Sequence, residues 1–252
     1  MFSIYVLLCL CLFSSVEAAH DHISLKVWDQ VKPYLLPEDH PIKPTLDRIF
    51  SASRIILSLE SLEEAGFIKP KVRKWTHLIV TKHPKLPGYV VKTYLDAQRY
   101  HKETPEYIYW IQRVQGAQAI QELINKHHLE IHFKVPKKWI YALPDKPLCP
   151  DGYLSKNFIL IEEDMGILNR KKNKAAWSSD LVNEQTLKDL HLILETIGLH
   201  DCAKIDNIPF ATDGRIAFID TQTCYEWPVP YNRLTSSLPK NLQSFWKKLT
   251  KD

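Results

Sequence analysis

The chain has 252 residues, of which 45% are hydrophobic and 25% are charged, and this composition is that of a globular protein rather than a disordered one. The length suits one domain, or two small lobes that share a cleft. Only seven residues are glycine, which argues against a fold that depends on Gly-rich phosphate loops. The formal net charge of +4 is small, and the basic run RKKNK is typical of a solvated loop. We therefore expect no nucleic-acid partner.

The first 18 residues, MFSIYVLLCLCLFSSVEA, have the layout of a secretory signal peptide. An apolar stretch from Ile4 to Phe13 precedes small residues around a cleavage site after Ala18. The alternative is an uncleaved anchor, although the apolar run is short for a bilayer span. We predict a secreted or exported protein, placed in a secretory lumen, a periplasm or the extracellular space, with no membrane span once the signal is removed.

Three cysteines remain after the signal: Cys149, Cys202 and Cys224. In an oxidising compartment Cys202 and Cys224 would form one disulfide and leave a free thiol. Three buried free thiols are the alternative, and the sequence leaves both open. No Cys-x-x-Cys pair predicts a zinc site.

The first predicted elements are an arm, a helix and a hairpin. Prolines interrupt Ala19–Pro44, which predicts an irregular arm. Thr45–Gly66 predicts a helix that is capped by Thr45 and ended by the glycine. The β-branched and aromatic runs Trp75–Thr81 and Tyr89–Leu95 predict a hairpin.

The later elements alternate between helix and strand. An apolar stripe predicts a long helix over Pro105–His127. The elements after it are, in order, strands over Val135–Leu143 and Asn157–Asp164, a linker over Gly166–Ala176, a helix from Ser179 or Asp180 to Ile197, a hairpin of Ile208–Ala211 with Arg215–Ile219, and a short helix over Leu238–Leu249. Antiparallel strands followed by a more helical C-terminal part predict an α+β fold.

Polar side chains concentrate in the stretch His200–Gln222, HDCAKIDNIPFATDGRIAFIDTQ. The Asp213-Gly214 pair favours a primed hairpin turn, which would bring Asn207 and Asp220 to the same end of the ribbon. An amide and a carboxylate oxygen there can share one Mg²⁺, which prefers oxygen ligands and bridges nucleotide phosphates. An ordinary hairpin with solvated polar ends is the plain structural alternative.

The order of elements and the spacing of Asp201, Lys204 and Asn207 resemble the protein-kinase-like fold over roughly Trp75–Gln222. The segment NFILIEEDMGIL is similar, by its place in the order, to the kinase fifth strand and hinge. The resemblance implies two lobes, with an antiparallel N-lobe sheet and a reduced helical C-lobe. The implied divisions are a signal peptide over 1–18, an arm and helix over 19–70, an N-lobe-like region over 71–165 and a reduced C-lobe-like region over 166–252.

The resemblance also implies roles for five residues. Lys92 would hold nucleotide phosphates, Asp201 would be the catalytic base, and Lys204 would steady the transferred group. Asn207 and Asp220 would hold the Mg²⁺ or Mn²⁺ that accompanies ATP. The expected partners are a nucleotide and a protein or small-molecule acceptor of unknown identity. The long helix offers Lys92 no assigned acidic partner.

Other features favour a catalytically inactive, pseudokinase-like binding or scaffold protein. Asp201 lies six residues before Asn207, where the kinase loop has five, and Thr221-Gln222 follows Asp220 where protein kinases carry Phe-Gly. Residues 221–252 are too few for a full helical C-lobe. An unrelated α+β domain, in which Lys92 points to solvent, remains the third alternative.

Overall fold

The computed structural model describes residues 23–68, 71–72, 77–97 and 104–251, and the chain is a mixed α+β protein. The described residues form eight α-helices: α1 Leu25–Val31, α2 Lys43–Ala52, α3 Leu59–Glu64, α4 Glu106–His127, α5 Arg170–Trp177, α6 Glu184–Ile197, α7 Asn232–Thr235 and α8 Lys240–Leu249. They also form seven strands: β1 Lys71–Val72, β2 Ile79–Thr81, β3 Tyr89–Thr93, β4 Phe133–Lys134, β5 Lys138–Ala142, β6 Phe158–Glu163 and β7 Ile216–Ala217.

Five of these strands form one sheet in the order β1-β2-β3-β6-β5, and each neighbouring pair is antiparallel. The predicted strand pair is confirmed as β2 and β3, within the described part of the chain. The predicted helix after it is confirmed as α4, and the next two predicted strands as β5 and β6. A separate parallel pair joins β4 to β7, with Phe133 opposite Ile216.

Both faces of the sheet are covered by helices. Alternate residues of a strand point to opposite faces, so the neighbours of successive β6 residues show what covers each face. Ile159 and Ile161 of β6 pack in one apolar cluster with Leu46 of α2. Phe158 and Leu160 pack on the opposite face with residues of α1 and α4, namely Val31, Trp110 and Val114. The predicted N-terminal region 19–70 therefore shares its core with the sheet.

Helix α4 joins this core to the C-terminal one. Its first half packs on the sheet, whereas Ala117, Ile120 and Ile124 belong to a cluster with α6 and α8. Helix α6 begins at the cap Asn183, whose side chain accepts from the Thr186 N–H, and ends at Gly198, with φ of +62°. The short helix predicted near the C-terminus is confirmed as α8.

The single helix predicted over Thr45–Gly66 is wrong. Helix α2 ends before Ser53, whose backbone is extended, and α3 starts after Ser58. Ser58 and Ser61 form a reciprocal capping box, so the short polar side chains favour a new helix start over continuation. Thr45 does not cap α2, which begins after Ile42.

Two segments predicted to be irregular contain helices. The arm Ala19–Pro44 includes α1, which is capped by Ser24. The linker Gly166–Ala176 includes most of α5, which is capped by Asn169. The sequence of α5 is mostly polar and gives little sign of a buried face. On that face Trp177 is completely buried, and its indole N–H donates to the Ile208 carbonyl.

The hairpin predicted around Asp213-Gly214 is reduced to a single bridge between Phe210 and Ile216. A primed turn needs positive φ at both central residues, but of this pair only Gly214 has it, at +83°. The Asp213 carboxylate instead accepts from Arg215 and from Lys134 Nζ. Pairing with β4 takes the place of the longer ribbon.

The signal peptide predicted over residues 1–18 lies outside the described residues. Within the described part of the chain, no helix has both the length and the apolar character needed to cross a bilayer.

The packing of α4 against the segment after β7 can be tested at Gly116, where the two backbones lie close together. A Cβ at Gly116 would lie 2.1 Å from the Thr221 carbonyl oxygen. We expect Gly116→Ala to lower the free energy of unfolding by about 1–3 kcal/mol, because the helix must shift. Helix propensity alone would raise stability by about 1 kcal/mol, so the sign of the change is diagnostic.

Urea unfolding followed by far-UV circular dichroism measures this change. Gln118→Ala, an exposed position on the same helix, is the control and should change little. A Gly116→Ala protein as stable as the parent would contradict the close approach.

Candidate functional site

The sheet places three charged side chains on the face that α4 covers. Lys138 of β5 lies directly opposite Glu162 of β6, and Lys92 of β3 lies opposite Leu160, so Lys92 and Glu162 are diagonal neighbours. All three residues are at most 5% exposed. Charged groups persist in such a place only when they are paired and hydrogen-bonded.

Glu162 pairs with both lysines at once. Its Oε1 lies 2.8 Å from Lys92 Nζ, and its Oε2 lies 2.8 Å from Lys138 Nζ. Both ammonium groups also donate to the Ile219 carbonyl oxygen at 2.9 Å. The two lysines therefore fix the backbone immediately before Asp220.

Helix α4 holds the next residues of the same segment. Arg113 Nη1 donates to Asp220 Oδ1, and Nη2 donates to Gln222 Oε1 at 2.7 Å. The Thr221 hydroxyl donates back to the Arg113 carbonyl at 2.6 Å. Lys92, Arg113, Lys138, Glu162 and Asp220 thus form one connected group, which we call the charge cluster.

The pKa values within the charge cluster reflect its composition of three cations and two carboxylates. Burial, opposed by Glu162 but reinforced by Lys138 and Arg113, lowers the pKa of Lys92 to about 8. Burial would raise the pKa of Asp220, but Arg113, followed by the two lysines, holds it well below its ordinary value. Lys138 and Lys92 similarly lower the pKa of Glu162 against the effect of burial. The charged forms of Arg113, Glu162 and Asp220 are thereby favoured, and that of Lys92 is disfavoured.

The loop that carries the predicted base, Asp201, lies beside the segment Ile219–Gln222, which the charge cluster holds. Asp201 Oδ1 lies 3.1 Å from Lys204 Nζ and 3.2 Å from Arg233 Nη1. The Asn207 side chain donates from Nδ2 to the backbone carbonyl of Asp201 at 2.8 Å. The backbone carbonyl of Asn207 accepts from the Ile219 N–H at 3.1 Å. The five predicted site residues are therefore drawn into one connected region.

The donor set does not fit a magnesium ion in this arrangement. Asp220 is engaged by the Arg113 guanidinium, which repels a cation from the carboxylate. Asn207 is 1% exposed, although its Oδ1 is buried without a hydrogen-bond partner. Among the described residues, no three His, Cys, Asp or Glu side chains are grouped to hold a metal.

Sequence reasoning missed Arg113, Lys138 and Glu162. Arg113 lies within the buried side of α4, and the other two lie within otherwise apolar strands. The acid that pairs with Lys92 comes from β6, whereas the kinase resemblance implies an acid on the helix. A polar residue inside each apolar pattern was the available signal.

The three described cysteines are free thiols, so the structure shows no disulfide between Cys202 and Cys224. The alternative of three buried thiols holds only for Cys202, because the other two are partly exposed. Cys202 Sγ donates to the Asp220 carbonyl at 2.9 Å, and Cys224 Sγ to the Gln112 carbonyl at 3.8 Å. Burial, then the carboxylates Asp220 and Asp201, raise the pKa of the Cys202 thiol. Cys202 is therefore a neutral structural donor at the site.

No protein-family model matches the chain, and no curated protein matches it.

The Arg113–Asp220 ion pair predicts a measurable coupling energy. Arg113→Met leaves Asp220 without its guanidinium partner, and we expect it to lower the free energy of unfolding by about 3 kcal/mol. Adding Asp220→Asn should recover part of this loss, because the unpaired charge of the partly buried carboxylate is then removed. Chemical unfolding of both single variants and the double variant measures the coupling. Additive effects of the two substitutions would show that the ion pair does not stabilise the fold.

The lowered pKa of Lys92 predicts a rise in stability at alkaline pH. An unfolded lysine titrates near pH 10.4, so between about pH 8 and 10 the unfolded chain binds more protons than the folded one, and stability rises with pH. Relative to Lys92→Met, the unmodified chain should gain on the order of 2 kcal/mol over this range. Unfolding titrations at fixed pH values measure the difference.

The matched control is Lys85→Met, since Lys85 is exposed. Its stability should stay parallel to that of the unmodified chain throughout. If the Lys92→Met curve is parallel as well, Lys92 does not titrate in this range.

Proposed function

We propose that this chain is an exported kinase-like protein that binds a partner without transferring phosphate. The antiparallel sheet with α4 inserted between β3 and the β5–β6 pair supports the resemblance to a kinase N-lobe. In the described residues after β6, four helices of 4 to 14 residues follow, and their small number supports a reduced C-lobe. On this proposal the two lobes meet at the charge cluster, and ATP with Mg²⁺ or Mn²⁺ is not a functional ligand.

The observation that carries the proposal is the ion pair between Arg113 and Asp220. An Asp that binds a metal must present free carboxylate oxygens to it. Here Oδ1 of the carboxylate accepts from the Arg113 guanidinium, whose side chain is 5% exposed and which also donates to Gln222. Lys92, the expected phosphate ligand, is likewise committed to Glu162 and to the Ile219 carbonyl. An ammonium has three N–H donors, so these two contacts leave Lys92 one donor for a phosphate.

The second candidate is an active ATP-dependent phosphotransferase, and one observation favours it. Asn207 Oδ1 is a buried acceptor without a partner, in the loop that carries Asp201. A buried carbonyl oxygen of this kind costs free energy unless a ligand satisfies it. For this candidate Arg113 would have to leave Asp220 before a metal could bind.

A thermal-shift titration of the chain from Ala19 onward distinguishes the two candidates. With 1 mM ATP and excess Mg²⁺ or Mn²⁺, a site with a Kd of about 10 μM would stabilise the folded state by about 2.7 kcal/mol. That gain would raise Tm by several degrees. We expect no metal-dependent rise in the unmodified chain.

Two variants make the expected negative result informative. Arg113→Gln frees the Asp220 carboxylate while keeping a polar side chain, and we expect it to gain a metal-dependent rise in Tm. Asp220→Ala should show none. A metal-dependent rise in the unmodified chain that is lost in Asp220→Ala would overturn the proposal in favour of the phosphotransferase.

A further inference from the structure

A groove of about 340 Å³ lies between α4 and the beginning of β5. Its floor is apolar and consists of the buried side chains of Val114, Ala117 and Val135. Its rim carries three carboxamides and one charge of each sign, namely Gln118, Gln121, Asn125, Glu122 and Lys137. Because the two rim charges balance, the lining favours an uncharged occupant that has both apolar and hydrogen-bonding groups.

Lys138 borders the groove with its backbone rather than with its side chain. The side chain is 0% exposed, whereas the residue as a whole is 4% exposed. The accessible atoms of Lys138 therefore belong to the main chain, and the groove runs along the outer edge of β5 at this residue.

The register of β5 sets the direction of this backbone. The Glu163 N–H donates to the Lys137 carbonyl, and five residue pairs further along the same ladder continue to Ala142. Alternate residues of an antiparallel ladder turn their N–H and C=O groups away from the partner strand. Lys138 therefore directs both groups away from β6, and among the described residues neither has a hydrogen-bond partner. Such groups cost free energy when they are buried without a partner.

The next outward-facing residue of β5 already has an extended segment added to it. The Ile140 carbonyl, which points in the same direction, accepts from the Leu36 N–H at 2.8 Å. Leu35 forms a parallel bridge to Ile140. A 3₁₀ turn over Lys32–Tyr34 comes before Leu35, so this extended segment stops short of Lys138. The groove thus continues an edge that the chain itself covers only at Ile140.

We propose that the groove binds an extended, uncharged peptide segment of a partner protein, which adds to the edge of β5 through backbone hydrogen bonds to Lys138. In this mode of recognition the main chain supplies affinity and side-chain pockets supply specificity.

The face of the sheet on which the groove lies determines the side chain that this segment carries. Residues directly opposite each other on neighbouring strands place their side chains on the same face. Lys138 shares its face with Ile140, which packs with Val114 of α4. The residue paired with Lys138 therefore points toward the apolar floor and should itself be apolar. Neither Asp201 nor Asp220 lines the groove, so the inference holds whether or not the chain transfers phosphate.

An NMR titration of the ¹⁵N-labelled chain from Ala19 onward with acetyl-Val-Leu-Val-amide tests the proposal. We expect a Kd on the order of 1 mM and a downfield shift of the Lys138 amide proton as it gains an acceptor. The analogue in which all three backbone nitrogens are methylated keeps the side chains but cannot donate to the Lys138 carbonyl. It should bind at least about tenfold more weakly.

Three outcomes of this titration would overturn the proposal. Equal binding of the two peptides would exclude backbone pairing, and an unchanged Lys138 amide at about 10 mM peptide would exclude the site. A Lys138 shift that follows protein concentration without any peptide would assign the edge to a second copy of the chain.

Two tryptophan substitutions on α4 locate the binding site. Gln118→Trp places an indole at the rim of the groove and should weaken peptide binding by about tenfold. Lys126→Trp enlarges an exposed position on the same helix outside the lining, and it should leave Kd within about twofold. If both variants bind the peptide as the unmodified chain does, the peptide does not occupy this groove and the proposal fails. Both positions are exposed, so neither variant depends on rebuilding the core.

Discussion

The Ile219 carbonyl oxygen is the point at which the sheet and the C-terminal part of the chain are joined through charge. The ammonium groups of Lys92 on β3 and Lys138 on β5 both donate to it. The two lysines also share the carboxylate of Glu162 on β6, the strand between them. Buried charges are tolerated only when each finds a partner, so strand register, the placement of α4 and the path of the segment after β7 must agree at once. A slip of one residue in β6 would move Glu162 to the opposite face of the sheet and leave both lysines buried without a carboxylate.

Helix α4 completes this junction with contacts of a different kind. Gly116 allows the helix backbone to approach Thr221 more closely than any side chain would permit, and Arg113 then reaches Asp220 and Gln222. The same helix contributes to the apolar core on the sheet and to the core around α6. Its position is thus set by packing at both ends and by ion pairing in the middle, which makes the arrangement of Asp220 a property of the whole fold.

The sequence predicted those features that a local pattern determines. The apolar stripe of α4, the β-branched runs of β5 and β6 and the glycine after α6 each act within a few residues, and the corresponding elements are present. Helix α5 escaped prediction because its outer face is lysine-rich and only Asn173, Ala176 and Trp177 face inward. The pairing of Lys92 with Glu162 was out of reach for another reason: a lysine in a strand reads equally as a solvent-facing or a buried group until its distant partner is known. The sequence therefore predicted Lys92, Asp201, Lys204, Asn207 and Asp220 as candidate residues, but not Glu162 and Arg113, which pair with Lys92 and Asp220.

The source of the acid that pairs with Lys92 has a mechanical consequence. A carboxylate on a helix can withdraw when the helix moves, but Glu162 sits on β6 and is fixed to Lys92 by hydrogen-bonded strand pairing. Arg113, in contrast, reaches Asp220 from α4, across the boundary between sheet and C-terminal core. A displacement of α4 would therefore separate Arg113 from Asp220 without breaking the strand pairing that holds Glu162 beside Lys92.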